Sequence, residues 1–403
     1  MDINTGILKK LKCEYGEAFY LLDSAQFRKN FSELKEAFGS IYSNFNIAYS
    51  YKTNYTPKIC KIVNELGGYA ETVSEMEVEL ALKVGVNPHR IIWNGPIKEI
   101  NKLEEFLKLG VMVNVDSIGE AITIKQFADK DTMSEFNVGI RCNFDVNDGV
   151  LSRFGFDVEN ENFMVTLDII KNTPNIKLRN LQCHFAKRQV EYWPARAKGM
   201  LNQIDKLDFV PERIDLGGGL FGKMEDSLKS QFTNEIPDYN AYAQAVATLV
   251  ADKFKDSLVK PELIIEPGTA LVGDCMNFVG TIKTVKEVRG KTIATVLGSQ
   301  KNISMSGVNP PITIYPVGDT QTEYTDVDFV GYTCIEGDVI YKSYTGKFGV
   351  EDMIVISNCG SYSLVMKPPF ILPNFPVLDI SEGNVEVIKH AETFDDIFQT
   401  FVF

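Results

Sequence analysis

Eight short apolar runs recur between residues 47 and 265, each followed by a stretch with helical spacing, and this rhythm limits the fold more than any other feature of the chain. The runs are Ile47–Tyr51, Tyr69–Val73, Arg90–Trp93, Val111–Val115, Asn137–Cys142, Leu178–Phe185, Arg213–Leu216 and Glu262–Ile265. Helix signals lie between them. Thr56-Pro57 offers a cap and a first-turn proline. Met76, Leu80 and Val84 repeat every four residues, and Ile100, Leu103 and Leu107 form a stripe. Asp116-Ser117 precedes another helix, and Ala241–Ser257 reads as a long one. Gly67, Gly85 and Gly110 sit where helices should stop. Strands alternating with helices pair in parallel, and eight of them predict a (β/α)8 TIM barrel, an α/β fold. The alternative is a doubly wound open sheet, but that fold ordinarily opens on a glycine-rich turn. Here the first run leads into Lys52.

The rhythm changes near Asn277. Phe278–Val288, Thr292–Leu297, Val339–Tyr341 and Met353–Ser357 read as short strands separated by turns, which predicts a β-sandwich or β-barrel domain. Ala18–Leu22 is an isolated strand ahead of the helical rhythm and is expected to join that domain. The expected organisation is therefore residues 1–25 as a strand of the β-domain, 26–276 as the barrel and 277–403 as the β-domain.

Composition narrows the function classes. Lys+Arg 41 against Asp+Glu 54 gives a net charge of −13, so the chain repels phosphate backbones and nucleic acid is not an expected partner. No apolar run approaches the roughly 18 residues of a membrane span, and the charged N-terminal stretch does not resemble a secretory signal. The seven cysteines are odd in number and widely spaced, which argues against a disulfide framework or a metal site and for a cytoplasmic location.

In a barrel of this kind, chemistry collects at the carboxyl ends of the strands. The ends of the eight runs carry Lys52, Glu71 with Ser74, Asn94, Asp116, Arg141, His184, Gly217-Gly218-Gly219 and Glu266-Pro267-Gly268-Thr269. Each is weak alone. Together they hold what an aldehyde cofactor on a pyridine ring requires. Lys52 is an amine able to form a Schiff base. Gly217–Gly219 can present bare N–H groups to a phosphate. Glu266 can keep a pyridine nitrogen protonated, and the His184 ring can lie against the heterocycle.

Tyr49-Ser50-Tyr51-Lys52-Thr53-Asn54 resembles the Tyr-x-x-Lys-x-Asn signature of fold type III pyridoxal-phosphate-dependent amino-acid decarboxylases, the diaminopimelate, ornithine and arginine decarboxylase type. The resemblance continues in order through Glu71–Ser74, His184, Gly217–Gly219, Glu266–Gly268, Cys334-Ile335-Glu336-Gly337-Asp338 and Gly360-Ser361-Tyr362. Residues Ser74–Glu120 look most like the diaminopimelate branch. The resemblance implies pyridoxal 5'-phosphate held covalently by Lys52, stacked on by His184 and paired with Glu266. It places Gly217–Gly219, Gly268, Thr269 and Tyr362 around the cofactor, and Glu71, Ser74 and Arg141 in support. It also implies a homodimer with shared active sites, in which Cys334 comes from the second copy and delivers a proton after CO2 leaves.

Three departures bear on the substrate. Diaminopimelate decarboxylases carry an arginine after Glu-Pro-Gly, where this chain has Thr269. They carry Arg-Pro in the β-domain, where the nearest match is Pro310-Pro311, and a glutamate after the active-site cysteine, where this chain has Ile335. Bidentate arginines are natural partners of a distal carboxylate, so their loss points away from diaminopimelate. The expected activity is loss of the α-carboxylate from another amino acid, basic or of specialised biosynthesis, with Glu336, Asp338 and Asp319 available to a distal amine. Past the stacking histidine the family's serine is replaced by Lys187-Arg188, either a new anion contact or a solvated pair. An amino-acid racemase and a catalytically inactive regulatory homologue remain as alternatives.

Overall fold

In a computed structural model, which describes residues 3–305, 307–381 and 383–403, the chain forms two compact units. One contains Met1–Lys29, Gly222–Glu235 and Leu271–Phe403; the other contains Asn30–Phe221 and Ile236–Ala270. The segment Gly222–Glu235 thus groups with the β-rich unit.

The second unit is the barrel. Its strands are Phe45–Ser50, Tyr69–Thr72, Ile91–Trp93, Met112–Val115, Phe136–Asn143, Ile176–Gln182, Arg213–Asp215 and Glu262–Ile265. Each pairs in parallel with the next, and the eighth closes on the first through Leu263 opposite Phe45. Helices cover the outside, among them Pro57–Glu65, Glu75–Lys83, Ile100–Leu109, Ile118–Lys130 and Tyr239–Phe254. The caps follow the sequence. Ser74 and Ser117 each accept the backbone N–H three residues on, and Gly110 ends its helix at φ 98°. Thr56 stands before Pro57, yet its hydroxyl turns to Asn54 Oδ1 instead of capping the helix.

Side chains two apart on a strand share a face. Ala48, Tyr69, Ile92, Met112 and Ile264 form one buried apolar cluster. Two residues further along the same strands come Ser50, Glu71, Asn94, Asn114 and Glu266, which are buried as well but polar. Amide-to-amide hydrogen bonds link this layer, although Asn180 Oδ1 and Gln182 Oε1 have no partner among the described residues. Asn180 Nδ2 donates to Asn114 Oδ1 at 2.9 Å, and Asn114 Nδ2 donates to Asn94 Oδ1 at 2.7 Å. Gly139 makes this chain possible, because a Cβ there would run into the Asn114 carboxamide and lie 2.9 Å from Asn180 Cβ.

The first unit is built on a nine-stranded sheet. Ala18–Leu22 pairs antiparallel with Met276–Val288 and parallel with Val377–Asp379, so the N-terminal strand joins this sheet. The long strand Met276–Val288 also pairs with Lys291–Val296 and Met353–Ile356. The unit holds more structure than its sequence suggests. Strands Ile312–Tyr315, Thr322–Val330, Val377–Asp379 and Glu386–Lys389 lie outside the expected set, and the expected Val339–Tyr341 extends to Phe348. Helix Thr5–Tyr15 was not foreseen either. It places Leu8 and Leu11 against Phe19, Val279 and Val355. These elements are short or carry few apolar residues, so tertiary burial and not periodicity sets them.

Asn114→Ala leaves Asn94 Oδ1 and Asn180 Nδ2 without their partner in the buried layer. The expected loss of stability is about 2–4 kcal/mol, read as a lower urea midpoint. A loss well under about 1 kcal/mol would show that water takes over both bonds.

Candidate active site

The first barrel strand runs into a single tight turn, Tyr51–Thr53, that carries Lys52. The turn is fixed from both sides. Tyr49 Oη donates to Asn54 O at 2.9 Å, and Asn54 Oδ1 accepts the backbone N–H of Thr56 at 3.0 Å. Lys52 Nζ therefore points back over the strand end, where it donates to Ser50 Oγ at 2.9 Å and forms an ion pair with Glu71. Ser50 donates to the same Glu71 oxygen. The Lys52 side chain is 32% exposed and that of Glu71 1%. The amine is thus held by a buried carboxylate but remains open to a ligand.

Glu266 is the second buried carboxylate. Asn94 Nδ2 donates to its Oε1 at 2.6 Å and also to Glu71 Oε1 at 3.0 Å, so one amide bridges the two acids. Gln182 Nε2 adds a contact to Oε1 at 3.3 Å. Burial alone would raise the Glu266 carboxyl, but the His184 hydrogen bond and the nearby Lys52 charge outweigh it and hold it down at about 2. Asp215, also fully buried, is pushed well up by burial and by Glu266. The proton of this acid pair therefore belongs on Asp215, and Glu266 stays ionised. Gly268 packs the Glu266 turn onto the Lys52 turn, since a Cβ there would collide with the Thr53 side chain.

His184 follows the sixth strand. Its Nδ1 is 3.1 Å from the Gly218 N–H and 3.3 Å from Glu266 Oε2. Burial lowers its pKa against the pull of Glu266, which favours the neutral imidazole. Arg141 Nη2 reaches the His184 carbonyl at 3.4 Å, while Nη1 lies 3.7 Å from Asp116 Oδ2. Gly217 and Gly219 have φ of 71° and 92°, which favours glycine, and Gly217 N–H is held by Asp215 Oδ1 at 2.9 Å.

The structure thus brings Lys52, Glu71, Arg141, His184, Gly217, Gly218, Gly219, Glu266 and Gly268 to one end of the barrel, with Thr269 next in the chain. Ser74 serves as a helix cap at this end. The remaining expected residues belong to the other unit. There Cys334 and Glu336 lie on an exposed loop, Asp319 is exposed, and Tyr362 is half-buried at φ 62°. Asp338 departs from its expected substrate role. It is 6% exposed, and both its oxygens are engaged, by Ser299 Oγ and Gln300 N–H on one and by Thr333 Oγ1 on the other. It closes a loop and has no free acceptor for an amine.

Several members of the site escaped the sequence reading: Ser50, Asn114, Asn180, Gln182, Asp215 and Arg196. All but Arg196 stand on strands, mostly two residues before or after a residue that was noticed. The same-face spacing is the signal that could have found them. Arg196 lies on helix Trp193–Leu207, far from any strand end in sequence.

These groups fit a pyridoxal cofactor. Glu266 Oε1 is filled by two amides, which leaves Oε2 for a protonated ring nitrogen. A neutral His184 ring stands beside it, and the Lys52 amine stands at the opposite carboxylate. The family model described as the pyridoxal binding domain of pyridoxal-dependent decarboxylases matches residues 24–273. The diaminopimelate decarboxylase of Methanothermobacter thermautotrophicus is 26% identical over 97% of this chain and 92% of its own length. A probable chloroplastic diaminopimelate decarboxylase of Oryza sativa subsp. japonica is 29% identical over 95% of this chain and 79% of its own. Among solved structures, the diaminopimelate decarboxylase of M. jannaschii superposes with a TM-score of 0.88 at 23% identity, covering 98% of this chain and 94% of that one. The arginine decarboxylase of Paramecium bursaria Chlorella virus gives 0.75 at 19% identity, covering 94% and 100%. The chain belongs to the pyridoxal-dependent decarboxylase family, and it is a pyridoxal-phosphate-dependent amino-acid decarboxylase.

Glu77 gives a pH signature to this end of the barrel. Burial raises its carboxyl from 4.5 to about 7, with Glu71 adding to the rise and the Val73 N–H opposing it. The folded state therefore keeps a proton that the unfolded chain releases, and stability falls as pH climbs from about 4.5 to about 7. Glu77→Gln keeps the acceptor for Val73 and removes the titration. Relative to the parent, the variant is expected to gain roughly 2–3 kcal/mol between about pH 5 and about pH 8 in urea unfolding. A difference that does not change with pH would refute the shift.

Proposed function

We propose that this enzyme removes the α-carboxylate from an amino acid other than diaminopimelate, one whose distal end carries an amine and no carboxylate. Thr269 carries this reading. It begins the short helix Thr269–Val272 directly after the Glu266 turn, where decarboxylases of the diaminopimelate type have an arginine. A threonine hydroxyl offers one hydrogen bond and no charge, so a distal carboxylate loses its bidentate partner. Pro310-Pro311 in the β-unit, where the family carries Arg-Pro, points the same way. The names of the relatives favour a second reading, diaminopimelate itself.

The roles divide among the residues described. When bound, pyridoxal phosphate supplies the electron sink that lets the Cα–carboxylate bond break. Lys52 attaches the cofactor through its amine, and Glu71 with Ser50 orients that amine. Glu266 stays ionised to hold the ring nitrogen protonated. His184 covers the ring face, fixed by Gly218 and by Arg141 at its carbonyl. Gly217–Gly219 and Tyr362 take the phosphate. Cys334 of the partner subunit delivers the proton that replaces CO2 at Cα, which makes the working form a homodimer. Glu336 and Asp319 are the carboxylates left for a distal amine.

CO2 release from the cofactor-loaded protein decides the substrate. Lysine, ornithine, arginine, diaminopimelate and N-substituted relatives would be compared in both configurations. The expected result is turnover of a member without a distal carboxylate; diaminopimelate as the best substrate would overturn the reading of Thr269. Lys52→Ala is expected to abolish covalent attachment and turnover. If the sites are shared, mixing inactive Lys52→Ala and Cys334→Ser chains should restore up to about a quarter of the parent activity, because one of the two sites in each mixed dimer is then intact. No recovery in a confirmed mixed dimer would place Cys334 and Lys52 of the same chain in one site.

A further inference from the structure

The loop that carries Lys187 and Arg188 stands against the glycine loop, and the fold holds it there by two separate links. Arg196 is fully buried and lies 4.2 Å from the Trp193 ring centroid. It donates to Phe185 O at 3.2 Å and Lys187 O at 2.6 Å on the loop after His184, and to Gly218 O at 2.7 Å on the glycine loop. Tyr242 repeats the link. Its hydroxyl donates to Arg188 O at 2.6 Å and accepts the Phe221 N–H at 3.2 Å. The two loops touch, since a Cβ on Gly219 would be 3.7 Å from Lys187 O and from Phe185 O. The Arg188 guanidinium extends over the Phe221 ring, 5.9 Å from its centroid.

Lys187 and Arg188 are half-buried, and neither has a carboxylate partner among the described residues. Taking a charge partly out of water without a counter-ion is costly, so such a pair calls for an anion. Arg196 is a separate, fully buried cation whose Nη1 and Nη2 go to three backbone carbonyls, so it binds the two loops and does not neutralise the pair. The phosphate of the cofactor needs a cation in turn. The backbone N–H groups at residues 217–219 carry no net charge, and two of them are in use, Gly217 toward Asp215 and Gly218 toward His184. Thr269 is neutral.

We infer that Lys187 and Arg188 supply the countercharge for the cofactor's phosphate, with Arg196 as the positioning residue that sets their loop against Gly217–Gly219. The inference rests on the assignment of the glycine loop to the phosphate. Arg188 has the planar fork suited to two phosphate oxygens, while Lys187 acts as a point charge. The family's serine at this turn offers a hydroxyl alone, so this chain moves the phosphate's charge partner onto the His184 loop.

The test compares pyridoxal phosphate with pyridoxal, which lacks the phosphate, on the apoprotein. Binding is read by absorbance, and attachment at Lys52 by borohydride reduction and peptide mapping. In Lys187→Gln/Arg188→Gln the affinity for pyridoxal phosphate is expected to fall at least about tenfold, while pyridoxal binds as in the parent. Inorganic phosphate should compete with pyridoxal phosphate in the parent and much less in the variant. Unchanged affinity for pyridoxal phosphate overturns the inference, including the case where only KM for the amino acid rises and the pair serves a substrate carboxylate. An equal loss for both ligands also overturns it, since that marks a structural role. A parent protein that attaches neither ligand at Lys52 would instead overturn the assignment of the site itself. Arg196→Lys, which keeps charge but not the three-way clamp, should shift pyridoxal phosphate affinity in the same direction as the double variant; no shift would remove Arg196 from the inference.

Discussion

Parallel pairing around a closed ring is the constraint on which the rest of the barrel unit depends. Every strand points the same way, so every carboxyl end opens on the same face. Residues as far apart in sequence as Lys52 and Glu266 become neighbours through the pairing of the eighth strand with the first. No local interaction could bring them together. The helices outside the ring serve this arrangement by returning the chain to the same starting edge each time, as parallel crossovers require.

The interior of the ring changes character along its axis. An apolar layer at Ala48, Tyr69, Ile92, Met112 and Ile264 gives way two residues later to a polar one. Such a layer is tolerable only if it is satisfied, because an unpaired buried amide forfeits its hydration. The chain from Asn180 through Asn114 and Asn94 to Glu266 meets most of that demand, with Asn180 Oδ1 left over, and ends on a carboxylate. These amide dipoles, together with His184 and Lys52, let Glu266 remain ionised although it is 2% exposed. The neighbouring Asp215 takes the opposite protonation state. Two acids in one desolvated space cannot both hold charge, and the one with more donors wins.

Around this fixed floor the loops are tied to one another. Lys98, fully buried, donates to Gly95 O and Glu120, while Glu120 accepts the Asp116 N–H, which joins the turns after the third and fourth strands. Arg141 connects Asp116 to the His184 carbonyl, and Arg196 connects the His184 loop to the glycine loop. A rigid rim of this kind holds catalytic groups in place before a ligand arrives, so little ordering remains to be done on binding.

Much of this was legible in the residues. The eight runs and their caps declared the barrel, because hydrophobic periodicity and helix punctuation are local properties. Lys52, His184, Glu266 and the three glycines declared the chemistry, because each stands directly after a run. The β-unit was less legible. Strands such as Thr322–Val330 alternate with acidic and hydroxyl side chains, and helix Thr5–Tyr15 buries only Leu8 and Leu11. Nor could the sequence tell a free carboxylate from a committed one. Asp338 looks as available as Glu336 until Ser299, Gln300 and Thr333 are seen around it. What the sequence determined by itself was the order of elements and the kinds of reactive group at their ends, since both follow from local pattern. Only the tertiary structure decided which acid is ionised, which amides form the floor and which loop is tied to the glycine loop. Those outcomes depend on burial and on partners brought from distant parts of the chain.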